Sequence, residues 1–404
     1  MDLKNNIVCP ICSSKENNQL LKLSCGNFDN SLLYDPVVVI TCDGCGHIFN
    51  KLSMTDQTGL MTYYDTEYSL NNLHSPNLSG DLPGSSNTNS LIRYSLLFDF
   101  IQKYINKTDK ILDIGCAAGG FLYFLKDKDY THLHGIDSST SYIEKVMGDK
   151  NLDIKKGFAE SIPYDKDSFN FITADQVVEH LVDPNQIFIE ARRVLNPRGL
   201  LCISVPNAML YDQNYCFDFY WFLMREHIQH FDLFHLSSIA KKHGFILINS
   251  TTTTSNMASN KYMLPNLSVL FKLGRPPVVS INHECFNLKN KTQKYIKHCY
   301  NELDIKKKKI DDIRKQNLPL YIFGISREFF YLYKNTSLSK CNILGLVDDT
   351  PSKQEFSTVN GQRIINRDIL KNSTDHIIIT AFAHTNKIKE ILKELNFKGE
   401  VIEL

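Results

Sequence analysis

The chain has 404 residues, room for two or three domains, and its 43% apolar and 22% charged content is that of an ordinary globular protein. Lys and Arg number 45 against 44 Asp and Glu, and this net charge of +1 leaves no electrostatic footprint for nucleic acid or an anionic membrane. Its eleven cysteines follow an N-terminus with no apolar signal core. The expectation is a reducing cytoplasm, where cysteine serves metal binding, catalysis or packing rather than disulfides. The longest apolar runs, Val37 to Ile40 and Ile377 to Ile379, are strand-sized, so no membrane contact is expected.

Residues 1–53 carry Cys9-Pro-Ile-Cys12 and Cys42-Asp-Gly-Cys45. Each CxxC knuckle aims two thiolates at one point, and Cys9, Cys12, Cys42 and Cys45 together make the ligand set of a tetrahedral zinc. The gap between the pairs calls for a small β-insertion over Leu20 to Ile40. A module this short could hardly fold without the staple, and a fully thiolate-bound ion leaves no open position for substrate, so the zinc is structural. Cys25 and His47 are weaker candidates.

Residues 54–90 change in character. Tyr63 to Ser69 is aromatic and polar, and Ser79 to Ser90 is turn-rich. Two readings stand here, a lid over an active site and a surface linker. Leu91 to Ile105 has helical periodicity and opens a domain that extends to about residue 274.

Within that domain Lys110 to Asp137 reads as strand, small-residue turn, helix, strand and terminal acid. This is the half-Rossmann unit that binds a nucleoside. Small residues at Gly115, Ala117 and Gly119 let the backbone approach the ligand, the helix N-terminus offers amides, and Asp137 can accept both hydroxyls of a ribose. Ala117 stands where the dinucleotide fingerprint has its middle glycine.

Further on come Ala159-Glu160, a strand from Phe169 to Asp175, and Arg193-Val-Leu-Asn-Pro-Arg-Gly199. Together with the Asp113-Ile-Gly-Cys-Ala-Ala-Gly turn and Asp137, these landmarks closely resemble class I S-adenosylmethionine-dependent methyltransferases. The resemblance implies an α/β Rossmann-like core. It also implies a cofactor site built from Asp113, Gly115, Ala117, Gly119, Asp137, Ser138, Ala159, Glu160 and Asp175.

Asn207 to Met224 is rich in aromatic residues and is followed by Arg225-Glu226-His227, a helix over Leu236 to His243, and a threonine-rich extended stretch from Ser250 to Ser255. Residues 275–316 form a helical connector, in which about Asn282 to Gln316 reads as a long polar helix with Ile296, Cys299, Leu303, Ile310 and Ile313 on one stripe. Lys306 to Lys309 is a charge run, either a solvated face or a phosphate patch. Residues 317–404 form a second Rossmann-like α/β unit, with strands at Leu320 to Phe323, Ile343 to Val347, Ile377 to Thr380 and Glu400 to Leu404. Its Gly324-Ile-Ser-Arg327 turn lacks the glycine series of a dinucleotide site.

The order of cysteine module, methyltransferase core with Glu226-His227 after the fifth strand, and C-terminal Rossmann-like domain resembles the bacterial sugar C-methyltransferases. That resemblance implies a nucleotide-linked keto-deoxysugar as substrate, methylated on carbon through an enolate, by a monomer or weak homo-oligomer. His227 is the expected base, aided by Glu226, with His180 and Tyr68 lining the sugar pocket. Two departures fall where the sugar should sit. Met224 replaces a tyrosine, and Thr254 to Ser259 replaces a Gly-Gly-Ser turn. They keep O-methylation of a hydroxyl open as the alternative. A cofactor-binding sensor is disfavoured by the intact Asp113, Asp137 and Glu160, and RNA methylation by Asp175-Gln-Val-Val, which is not the acidic or amide Pro-Pro-aromatic motif.

Overall fold

The computed structural model describes residues 7–24, 33–67, 84, 88–139, 152–213, 220–257, 262–275, 287–356 and 358–404. Tyr68, Cys25, and most of the stretches Ser79 to Ser90 and Asn214 to Phe219 lie outside the described residues.

The N-terminal module is an antiparallel sheet of β1 (Asn17–Leu23), β2 (Val37–Cys42) and β3 (Ile48–Asn50). Its fourth strand comes from far along the chain and pairs with β3. After β3 the chain enters α1 (Met54–Thr62), a helix within the segment expected to be linker or lid. The signal for it is a capping box: Ser53 Oγ accepts from the Asp56 amide, and the Asp56 carboxylate accepts from the Ser53 amide. α2 (Thr88–Ile101) then leads into the core, burying Tyr94, Leu97, Phe100 and Ile101.

The central sheet is built from β4 (Lys110–Ile114), α3 (Gly120–Lys126), β5 (His132–Asp137), β6 (Asp153–Lys156), β7 (Phe169–Asp175), α4 (Asn185–Val194) and β8 (Leu195–Pro206). The chain continues through β9 (Gln229–His230), α5 (Leu233–Lys242), β10 (Phe245–Met257) and β11 (Tyr262–Leu273). Its order is β10-β11-β8-β7-β4-β5-β6, with β6 to β8 and β4 to β5 parallel and the β10–β11 hairpin antiparallel against β8. β4 and β7 are buried along most of their length, which is why apolar residues fall on both of their faces instead of alternating strictly with polar ones. β4 has β5 on one side and β7 on the other, so the strand order reverses here. The crevice at their carboxyl ends is where such sheets bind ligands.

α6 (Asn287–Gln316) carries the expected stripe, with Ile296, Cys299, Leu303, Ile310 and Ile313 all buried. Lys306 belongs to neither of the two alternatives for its charge run. It is buried, with its ammonium over the Phe382 ring and near Glu302.

The C-terminal unit comprises β12 (Leu320–Phe323), α7 (Arg327–Asn335), β13 (Ile343–Val347), α8 (Pro351–Phe356), β14 (Thr358–Val359), β15 (Gln362–Ile365), β16 (His376–Ile379), α9 (Thr385–Glu394) and β17 (Val401–Glu403). Its sheet has the order β14-β15-β13-β12-β16-β17. The short pair β14 and β15, only two and four residues long, gave no periodic signal in the sequence. One apolar cluster runs from Leu21 and Val37 of the N-terminal sheet through Phe222 and the α6 stripe to Leu320 and Phe329. Among the described residues no helix is long and apolar enough to cross a membrane.

Ile310 sits wholly buried in that shared cluster. Ile310→Ala should therefore cost about 2–5 kcal/mol of unfolding free energy, read as a lowered midpoint in urea.

Candidate active site

The two cysteine knuckles meet as their spacing predicts. Cys9 Sγ lies 3.7 Å from Cys45 Sγ and Cys12 Sγ 3.5 Å from Cys42 Sγ, with all four sulfurs within 4.8 Å of one another. Thiolates on one tetrahedral zinc, with bonds near 2.3 Å, stand about 3.8 Å apart, so the set fits that ion. Ser13 N donates to the Cys9 carbonyl and Gly46 N to the Cys42 carbonyl, closing the knuckles. His47 is not part of the set; its ring is packed between Phe49, Phe231 and His235, and its Nε2 faces Gln229 Oε1 at 3.0 Å.

The crevice lies at the carboxyl ends of β4, β5 and β7. Gly115 takes φ +71°, and a Cβ there would meet Val177 at 2.5 Å, so only glycine fits. The turn continues through Ala117 at φ +46° and Gly119 at φ +77° into α3. Asp137, at the end of β5, accepts from the amides of Ala117 and Ser139, each at 2.8 Å. One further lone pair remains on each oxygen. Burial holds its carboxyl above the usual range, against those two hydrogen bonds. Asp113 is 5% exposed and accepts from Thr173 Oγ1 at 2.6 Å; burial pushes its pKa up to about 7. At the end of β7, Asp175 Oδ2 meets Arg93 Nε at 3.2 Å. Asp175 Oδ1 and Ser139 Oγ are buried without partners among the described residues, two polar atoms that a ligand in this crevice would satisfy. Ser138 is half-buried beside them, Ala159 is buried and Glu160 is exposed.

Beyond β7 a tight turn, Val178–His180, faces the segment that precedes β9. His180 and His227 stand edge to face, their ring centroids 5.1 Å apart. His180 Nδ1 donates to the Glu226 carbonyl at 2.8 Å and lies 2.9 Å from Tyr64 Oη. His227 Nδ1 is buried without a partner among the described residues, and the Phe222 backbone is the polar group that favours the protonated ring. Burial pushes the His227 imidazole down to about 3, with His180 adding to the effect, and lowers His180 as well. The near-neutral imidazole expected from sequence is thus a neutral, desolvated one. The Glu226 carboxylate does not face His227; it lies 3.6 Å from the Arg327 guanidinium, delivered by the first turn of α7, and stays ionised. Nitrogens of His180 and His227 and a carboxylate oxygen of Glu179 lie within 4.8 Å of one another.

Residues 91–250 match the family described as a methyltransferase domain. The central sheet is a class I S-adenosylmethionine-dependent methyltransferase domain. Residues 317–403 match a second family, described as C2185-like, N-terminal. Similar proteins include an uncharacterized methyltransferase of Schizosaccharomyces pombe, 27% identical over 29% of this chain and 48% of that protein. Phosphoethanolamine N-methyltransferase 2 of Caenorhabditis elegans is 24% identical over 36% of this chain and 34% of its own length. A ubiquinone biosynthesis O-methyltransferase of Bartonella tribocorum is 30% identical over 24% of this chain and 41% of its own. The chain thus spans less than half the length of these relatives.

The methyltransferase domain gathers Asp113, Gly115, Ala117, Gly119, Asp137, Ser138 and Asp175 about one crevice, and brings His180 next to His227. Sequence reading passed over three side chains at this site. Glu179 is one, although its neighbour His180 drew attention. Tyr64 is another, its hydroxyl on His180. Arg327 is the third, and no local pattern links it to residue 226. Among the described residues, the buried thiolate set and the Glu179–His180–His227 set are the groups able to hold a metal.

Two outcomes follow from this geometry. Asp137→Ala removes an acceptor worth about 1.5–3 kcal/mol to a bound hydroxyl, so calorimetry should show S-adenosylmethionine binding weakened roughly 10- to 150-fold. Elemental analysis should find one zinc per chain on the four cysteines. Its binding free energy, on the order of 10 kcal/mol, is folding energy for the module, so Cys42→Ser should melt β1 to β3 while leaving most cofactor affinity. A folded, zinc-free module would reject the assignment.

Proposed function

We propose that this chain transfers the methyl group of S-adenosylmethionine to a nucleotide-linked keto-deoxysugar, on the carbon beside the ketone, through a base-generated enolate. Bound S-adenosylmethionine supplies an electrophilic methyl on a sulfonium centre. The observation that carries the reading is the pair of neutral imidazoles just beyond the carboxyl end of β7, beside the cofactor crevice. His227 takes the proton through its Nδ1, which has no partner among the described residues, while His180 is anchored at its Nδ1 by Tyr64 and the Glu226 carbonyl. Neutral imidazole is the form that can accept a proton, and burial keeps both rings in it. Glu226 and Arg327 form a charged pair at the same place and offer polar contacts to sugar hydroxyls or a phosphate. Tyr68, whose placement lies outside the described residues, is retained as a pocket residue on sequence grounds alone.

Methylation of a hydroxyl is the second reading. Met224 favours it, since a thioether touching Arg327 stands where the resembled enzymes carry a tyrosine hydroxyl. A panel of nucleotide sugars with mass and carbon-connectivity analysis separates the two, and a methyl found on oxygen rejects the first. His227→Asn should lower turnover about 10²- to 10⁴-fold while S-adenosylmethionine affinity stays unchanged. In deuterated water the wild-type chain should exchange the proton beside the ketone of its keto-sugar, and His227→Asn should not. Full activity in His227→Asn together with a dead His180→Asn would move the base to His180.

A further inference from the structure

The imidazole pair has a weakness as a base, because proton uptake places a positive charge in a buried site. An unpaired charge there is strongly disfavoured. The group facing the pair is Glu179, 1% exposed, with both carboxylate oxygens buried and without hydrogen-bond partners among the described residues. Its Oε1 lies 3.8 Å from His180 Nε2. His180 Nδ1–H is spent on the Glu226 carbonyl, so what that ring turns toward Glu179 is its Nε2 lone pair, and a nitrogen of His227 lies within 4.8 Å of both. Once Glu179 is ionised, its carboxylate and that lone pair face one another with no donor between them. Such an arrangement is costly at rest and becomes favourable once a proton enters it.

We infer that Glu179 is the positioning residue of this site, holding the proton that the histidine pair takes from the methyl acceptor. The inference rests on the methyl-transfer reading above. In the step, the C–H bond beside the ketone breaks and an N–H bond forms on the imidazole. The released electron pair attacks the methyl carbon, whose bond to sulfur breaks with its electrons returning to sulfur. The imidazolium and the Glu179 carboxylate then form a neutral pair, and the proton leaves to water after product departs.

The charged and titratable groups about Glu179 are Asp175 at the end of β7, Arg93 of α2, Tyr64, His180 and His227. Burial pushes the Glu179 carboxyl up to about 8, with Asp175 adding and Arg93 opposing. Its ionised form, the one this role needs, is therefore gained as pH rises through that region. A divalent cation is the competing occupant.

The test uses the full zinc-loaded chain with ¹⁵N-labelled histidine, titrated by NMR from pH 5 to 9 without any acceptor. Two side-chain histidine signals should shift together with one step near pH 8 in the wild type, and Glu179→Gln should abolish that step while zinc content and S-adenosylmethionine affinity stay unchanged. With the acceptor identified by the sugar panel, Glu179→Gln should lower kcat about 10²-fold with little change in KM and flatten the rise of rate with pH. Glu179→Asp should restore part of both. If Glu179→Gln fails to fold, Glu179→Asp carries the same readouts through a shifted step. A step that persists in Glu179→Gln, a variant as fast as wild type, or a second divalent ion lost with the carboxylate would each overturn the inference. The NMR arm needs no acceptor, so a panel that yields no product defeats the sugar reading and leaves this arm to be judged by itself.

Discussion

The candidate site depends on a small set of hydrogen bonds between the cysteine module and the segment around His227. Asn50, at the end of β3, donates from its side-chain amide to the carbonyls of Met224 and His227, at 3.2 and 2.9 Å. Its backbone amide donates to Ile228, and Tyr34 Oη donates to the Arg225 carbonyl. β3 then pairs with β9, so Gln229 and His230 complete the sheet whose β2 ends at Cys42. On the other side the Ile228 amide donates to the Glu179 carbonyl. Residues 224–230 are thus clamped between the thiolate module and the turn after β7. A zinc ion on the four thiolates would act on the chemistry here only by keeping this clamp rigid. His235 strengthens the link, bridging the Asp232 carboxylate and the Cys45 carbonyl.

Burial sets the electrostatics of the site. Asp113, Asp175 and Glu179 lie within one desolvated region, and each carboxyl is held above its ordinary range. Arg93 is the cation that offsets part of this, reaching Asp175 from α2. The neighbouring histidines are pushed the opposite way by the same cause, because desolvation disfavours whichever form is charged. Groups that would be carboxylate and part-imidazolium in water are drawn toward neutrality together. That is a suitable resting condition for the proposed proton transfer beside a bound sulfonium, since neither charge is quenched beforehand.

The C-terminal unit belongs to the same problem. Its first turn sends Arg327 to Glu226, and Lys334 of α7 pairs with Asp35 of the N-terminal module at 3.0 Å. α6 fills the space between, with its stripe in the cluster that joins the N-terminal sheet, the segment before β9 and the C-terminal sheet. Within its own turn, Asp348 accepts from the Ile325 amide and from Lys353. An acid at the end of the second strand of a Rossmann-like unit is here occupied by its own chain.

By itself the sequence determined what local periodicity and spacing can carry. The CxxC pairs, the strand-turn-helix-strand of Lys110 to Asp137, the Phe169–Asp175 strand and the stripe of α6 were all legible, because each is specified by residues within a few turns of one another. α1 was legible in principle from Ser53 and Asp56, but its apolar periodicity is weak. Tertiary structure alone decided the rest. That β9 joins the cysteine module, that Arg327 lies on Glu226 across a hundred residues, and that Glu179 faces two histidines with no partner of its own are consequences of packing. The neutrality of those histidines was equally out of reach. A side chain's type states its charge in water, and only the surrounding protein determines how much water is left.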